Sequence, residues 1–224
     1  MRRIALVAGI LAAVGIGLEG QSAGPADWKW RQDTPAPLAK GATIEPGSWV
    51  FVEMPPGWHV TTGPGVMLYP ATNGDLTGSF SLETDIFLFP GKSQEEYGVF
   101  LGGQAIDGQA APEYLAVVLR RDGAAAVLRR SGGTTDAVAD WQRHDAVVPD
   151  KGGKDAVKNS LRVDVDATVI SVSVNGAKIA SVPRQDLKTD GRIGFRVGGD
   201  MNLHIATMNV TRKLAPVPIK KTGM

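Results

Sequence analysis

The stretch "SLRVDVDATVISVSVNGAKIASV", residues 160–182, carries the strongest constraint on this chain, because its apolar and polar side chains alternate one by one. Side chains on a strand point to opposite faces in turn. Leu161, Val163 and Val165 therefore share one face, and Arg162, Asp164 and Asp166 share the other. Ile170, Val172 and Val174 repeat the pattern against Ser171 and Ser173. An amphipathic helix needs apolar residues three and four apart, and no segment sustains that period over three turns with caps. The alternation predicts antiparallel sheet with one buried face and one wet face.

The same pattern runs from Ser48 to Arg212. "SWVFVEM", "WHVTT", "VMLYP", "GSFSLETDIFLF", "EYGVFLGG", "EYLAVVLRR", "AAVLRRSG", "GRIGFRVGG" and "LHIATMNVTR" are short runs separated by Gly, Pro, Asn or Asp. Such spacing predicts a sandwich or barrel. Asp122-Gly123 and Asn175-Gly176 are two-residue hairpin turns, whose positive φ these residues tolerate. Full burial of one Leu or Val is worth about 1.5–3 kcal/mol, so a dozen such strands can offset their ordering entropy. "KGGKDAVK", residues 151–158, reads as a loop, and there is no internal repeat. The predicted fold class is all-β, a two-sheet antiparallel sandwich with little helix.

The 224 residues divide unevenly. Residues 1–23 read as a signal peptide: Arg2 and Arg3 form a basic start, and Ile4 to Leu18 is an apolar run of the right length. An uncleaved anchor is the alternative, although the run is shorter than the ~20 residues of a membrane span. Cleavage after Ala23, with Gly20 as competitor, takes the net charge from +1 to zero. A neutral chain lacks the electrostatic footprint of a nucleic-acid or anionic-lipid binder. With no cysteine there is no disulfide, thiolate nucleophile or lipid-anchor thiol. Residues 24–47 are a Pro- and Gly-rich lead-in, in which Trp28 and Trp30 flank Lys29 as an edge strand would; 48–212 are the sandwich and 213–224 a tail. The expected location is periplasmic or extracellular, with no membrane insertion after cleavage.

"FSLETDIFLF", "EEYGVFLGG", "YLAVVLRRDG", the 159–182 unit with its "SVNG" turn, and "DGRIGFRVGGDMNLHIATMNVTR" occur in an order that resembles the concanavalin A-like lectin/glucanase superfamily. Its laminin-G-like and 3-keto-disaccharide hydrolase-like jelly rolls are the most similar. The resemblance covers about 130 residues and implies a jelly roll; fold alone implies no function.

Glu83 and Asp85 share a strand face with Ser81, opposite Phe80, Leu82, Thr84 and Ile86. The superfamily's β-glucanases carry Glu-x-Asp followed two or three residues later by a second Glu. Here Phe87 and Leu88 stand in that place, so the residue that would protonate a leaving group is missing. The leading expectation is a non-catalytic binding domain for carbohydrate or a similar polar ligand. Its concave sheet would present Glu83, Asp85, Tyr97, Arg120, Arg196 and His204. One alternative is a sugar hydrolase in which Glu83 or Asp85 acts as base with Asp200 as partner. Another is a structural or protein-interaction domain, whose partner the sequence does not identify. His59, His144 and His204 are too few and scattered to spell a metal site. No cofactor is expected, Asn73-Gly74-Asp75 being the one candidate for a structural calcium ion.

Overall fold

A computed structural model describes residues 25–34 and 49–213 of the chain. The expected signal peptide, most of the lead-in and all but the first residue of the tail lie outside the described residues. Antiparallel strands account for the fold. They are β1 (Trp28–Gln32), β2 (Trp49–Glu53), β3 (Trp58–Thr62), β4 (Val66–Pro70), β5 (Asp75–Leu76), β6 (Phe80–Leu88), β7 (Glu96–Gln104) and β8 (Glu113–Arg120). After these come β9 (Ala124–Ser131), β10 (Thr134–Arg143), β11 (Val157–Val165), β12 (Val169–Val174), β13 (Ala177–Pro183), β14 (Gly191–Val197), β15 (Asn202–Ile205) and β16 (Asn209–Arg212). No helix occurs among the described residues. The sandwich starts earlier than expected: β1 falls in the predicted lead-in and pairs with β4, Trp30 opposite Leu68.

One sheet runs β1-β4-β14-β7-β8-β9-β10, with β5 on β14. The other runs β13-β12-β11-β6-β15-β3-β2, with β16 on β6. The alternation sets what lies between them. Leu161, Val163, Val165, Ile170, Val172 and Val174 are buried against Leu68, Val99, Leu115, Val117 and Phe195 of the opposite sheet. At the β12–β13 turn, Asn175 and Gly176 both adopt positive φ, 50° and 85°, as the hairpin reading requires. Asn175 also fixes the turn, donating to the Ala146 carbonyl at 2.7 Å and accepting from the Ser160 amide at 2.8 Å.

A second apolar layer lies on the far side of the β7 sheet. Met67, Tyr69, Phe100, Tyr114, Ala116, Val118, Ala126 and Leu128 are buried there, with Trp141 packed on them. Strand β8 therefore buries both faces, Leu115, Val117 and Leu119 inward and Tyr114, Ala116 and Val118 outward.

That sheet curls toward its outer face. The Tyr114 hydroxyl on β8 donates to Asp33, just past β1, at 2.7 Å. These strands are four steps apart in the sheet, which would be ~19 Å in a flat sheet at ~4.8 Å per step. A Tyr and an Asp side chain cannot span that distance, so the sheet bends until β1 approaches β8 and β9 across a trough. Two glycines permit the bend. A methyl group on Gly98 would lie 2.1 Å from the Val117 carbonyl oxygen, and one on Gly194 would lie 2.1 Å from that of Leu68. This face is the concave one.

Candidate functional site: the trough of the curled sheet

The six residues expected to share one binding face lie in three places. Glu83, Asp85 and His204 are on the outer face of the β6 sheet. Arg120 and Arg196 lie in the trough of the opposite sheet. Tyr97 is in neither, being 1% exposed between the sheets. Strand phase explains the correction: Tyr97, Val99 and Leu101 point inward, so their neighbour Glu96 points into the trough. Burial pushes the Tyr97 hydroxyl up to about 12, against the Asn159 hydrogen bond and the Arg121 charge. The Asn159 amide donates to it at 3.4 Å.

The β6 face is a set of matched surface pairs around an open depression. Arg162 pairs with Glu83 and with Asp164, and Lys158 pairs with Asp85 at 2.8 Å. Ser160 donates to Asp85 as well. Burial raises the Asp85 pKa, but the hydrogen bonds from Lys158 and Ser160 and the Lys158 charge outweigh it and leave it below the ordinary value. A carboxyl held in that state is no proton donor. Nor does Asp200 complete a pair with it. Asn202 lies opposite Phe89, so Asp200 is beyond the end of β6, more than ~13 Å along the strand from Asp85. Paired glycosidase carboxyls stand ~5–9.5 Å apart. His204 sits opposite His59 in the β15–β3 register, and burial followed by the His204 charge lowers the His59 pKa. Asp75, in the candidate calcium sequence, is engaged by Arg192 at 2.9 Å.

The trough is built differently. Arg196 on β14 donates from Nε to Asp33 Oδ2 at 2.6 Å and from Nη1 to Glu96 Oε1 at 2.7 Å. Asp33, its side chain 4% exposed, also receives the Tyr114 hydroxyl, and Arg130 Nη2 lies 3.9 Å from it. Glu96 continues the chain to Arg120 Nη2 at 3.9 Å. The Arg120 guanidinium lies over the Trp141 ring, 3.6 Å from its centre. Arg31 donates to the carbonyls of Ala105, Ile106, Gly108 and Ala110 and so clamps the β7–β8 loop over one end. Burial works against the Arg196 charge, yet Asp33, Tyr114 and Glu96 outweigh it and hold the pKa above the ordinary value. Burial, and then the Asp33 charge, push the Tyr114 hydroxyl up to about 12, so it remains a donor.

The four arginines flanking the β8–β9 turn do not form one patch. Arg121 is buried and bonded to Asp150 and to the Phe89 and Ser93 carbonyls. Arg129 pairs with Asp136 at 3.3 Å, and only Arg120 and Arg130 reach the trough network. Among the tryptophans, Trp28 packs on Phe51, Trp58 and Phe195, and Trp30 on Trp49. Trp141 alone stands in the trough, half-buried.

Solved structures place this architecture. A carbohydrate-binding module, CBM66, from Bacillus subtilis superposes with a TM-score of 0.59 at 10% identity, over 74% of this chain and 96% of that one. The shared fold is a two-sheet jelly-roll sandwich. A Bacillus subtilis protein of unknown function with a galectin-like fold matches at TM-score 0.55 and 11% identity, over 82% of this chain and 88% of its own. A glycoside hydrolase family 16 endo-glucanase from Bacteroides ovatus matches at 0.54 and 10%, over 83% and 94%. No protein-family model matches the sequence, and no curated protein does. Identities this low establish the fold alone.

Asp33, Glu96, Arg31, Arg130, Tyr114 and Trp141 had no place in the expected site. One sequence signal pointed toward them. "VMLYP", "YGVFL", "EYLAVVL" and "AAAVL" are near-continuous apolar runs, the mark of strands covered on both faces. Polar residues at their ends then border a covered surface rather than open water.

Proposed function

We propose that this domain binds carbohydrate, without cleaving it, in the trough of the curled sheet. The observation that carries this reading is the unbroken chain Arg120–Glu96–Arg196–Asp33–Tyr114 laid over an apolar floor. Buried ion pairs are poor sources of stability compared with apolar packing of the same volume, so their concentration on one concave face supports a role in recognition. Ligand sites typically combine an apolar lining with a few fixed polar groups, and sugars offer both hydroxyls and an apolar ring face. Glu96, Arg120 and Arg196 supply acceptors and donors, and Trp141 supplies an aromatic surface at the more open end. Solved structures that share this fold include a carbohydrate-binding module and an endo-glucanase, which agrees with a sugar ligand. Both trough carboxylates are bonded to a single guanidinium, Arg196. That arrangement suits holding a ligand better than the divided labour of acid and nucleophile.

The domain is further proposed to act outside the cytoplasm, on the strength of the signal-like first 23 residues. Fractionation with N-terminal sequencing of the mature chain checks this. The binding reading is tested by affinity electrophoresis through gels containing neutral and acidic polysaccharides. Retardation lost in Glu96→Gln and Trp141→Ala but kept in Glu83→Ala supports the trough. Loss in Glu83→Ala with retention in the other two would move the site to the β6 face.

A further inference from the structure

The charges in the trough do not balance. Arg31, Arg120, Arg130 and Arg196 face it with only Asp33 and Glu96 in return, an excess of two positive charges. Lys29 and Arg192 at the rim are matched by Asp107 and Asp75. Arg31 spends its terminal nitrogens on loop carbonyls and Arg196 spends its own on both carboxylates, so the excess falls on Arg120 and Arg130.

Arg130 is the sharper case. It is 7% exposed, yet among the described residues its guanidinium makes no hydrogen bond. Its nearest counter-charge is Asp33 at 3.9 Å, already shared with Arg196 and Tyr114. Its Nε is buried without a partner, as is that of Arg120. Burying a charge with unmet donors costs several kcal/mol; something that arrives later can satisfy them. Strand alternation puts Arg130 on the trough face with Tyr114 and opposite Leu115, so the donors it leaves unmet belong to the trough itself.

We infer that the ligand is an acidic glycan, with a carboxylate or sulfate substituent received by the Arg130 guanidinium in the trough. The inference rests on the trough being the sugar-binding face, and it adds the charge class of the sugar. A planar guanidinium with free donors pairs with a carboxylate or sulfate through two parallel hydrogen bonds. The anion would supply the counter-charge that the fold leaves out, while the neutral part of the sugar ring lies along the trough toward Trp141.

Two measurements on the whole domain separate this inference from the reading beneath it. In the first, thermal melting of wild type and Arg130→Met is followed in sodium glucuronate and in sodium sulfate, each against sodium chloride at equal ionic strength. Sulfate stabilises folded proteins generally, so the readout is the difference between the two proteins. Arg130→Met removes a buried, poorly paired charge and leaves Asp33 bonded to Arg196 and Tyr114, so the variant folds. The expected result is stabilisation by glucuronate or sulfate in wild type beyond that in the variant, the larger of the two naming the substituent. Equal responses in both proteins overturn the anion site, even if neutral glycans bind. In the second, affinity electrophoresis compares a polyuronate, dextran sulfate and unsubstituted dextran. Charge-assisted hydrogen bonds are worth about 1.5–3 kcal/mol, so acidic-glycan affinity should fall about tenfold or more in Arg130→Met. Arg130-dependent anion binding with no retardation by any glycan would keep the anion site and remove the carbohydrate reading.

Discussion

The outer faces of the two sheets carry the same kinds of side chain to opposite effect. On the β6 sheet, Glu83, Asp85, Lys158, Arg162, Asp164 and Lys213 border open water and pair one with another. On the β7 sheet, Asp33, Glu96, Arg130 and Arg196 are drawn over a second apolar layer and lose most of their exposure. The difference lies in sheet shape, not composition. An open face leaves each ion pair solvated, where it is worth little. A curled face dries the same groups, so that leaving one unpaired becomes expensive.

The sharpest test of that contrast is Asp33→Ala. It strips Arg196 and Tyr114 of their shared acceptor in a dry setting. The expected loss is about 3–5 kcal/mol, read as a lower midpoint in urea unfolding. A loss below about 1 kcal/mol would mean that the trough is as wet as the other face.

The curl itself is tested by Gly194→Ala, which pushes a methyl group against the Leu68 carbonyl oxygen. Overpacking of this kind costs about 1–3 kcal/mol. The more telling readout is ligand retardation, which should fall with stability if the bend shapes the site. An unchanged variant would show that the strands can flatten freely.

On the open face the expected signal is a pH dependence. The Arg162 hydrogen bond lowers the Asp164 pKa; burial opposes this, and Ser81 and Lys213 assist it. A folded-state pKa below the unfolded one gives stability that is present above the unfolded value and lost as pH falls through the folded one. With an ordinary value of 3.8, wild type should therefore lose more stability than Asp164→Asn as the solution is acidified below about pH 4. Parallel acid limbs would show that these pairs contribute nothing. The smallest effect belongs to Glu83→Ala, half-exposed beside Arg162: at most about 1 kcal/mol, by the same urea titration, with glycan retardation intact.

Much of the fold was legible because its rules are local. Leu161, Val163 and Val165 declared their burial by alternation, and Asn175-Gly176 declared a turn that both residues then adopt. Ser81, Glu83 and Asp85 were correctly placed on one outward row of β6. The site was read less well. Tyr97 fits the expected face only if its strand neighbours the acidic one, but β7 lies in the other sheet from β6 and its phase turns Tyr97 inward. Whether Asp200 can partner Asp85 depends on the β15–β6 register, which no stretch of sequence contains. Asp33 lay in the stretch read as lead-in, and nothing near it in sequence announces Tyr114, 81 residues away.

The sequence by itself determined the sheets, the identity of the inward faces and the main hairpin turns. These follow from a two-residue period and from φ preferences that act within a few residues. Only the tertiary structure decided which outer face is concave and which charges are dry. Curvature is a sum over seven neighbouring strands, set by close backbone approach at Gly98 and Gly194 and by bonds that cross the trough. No window of sequence contains those distances.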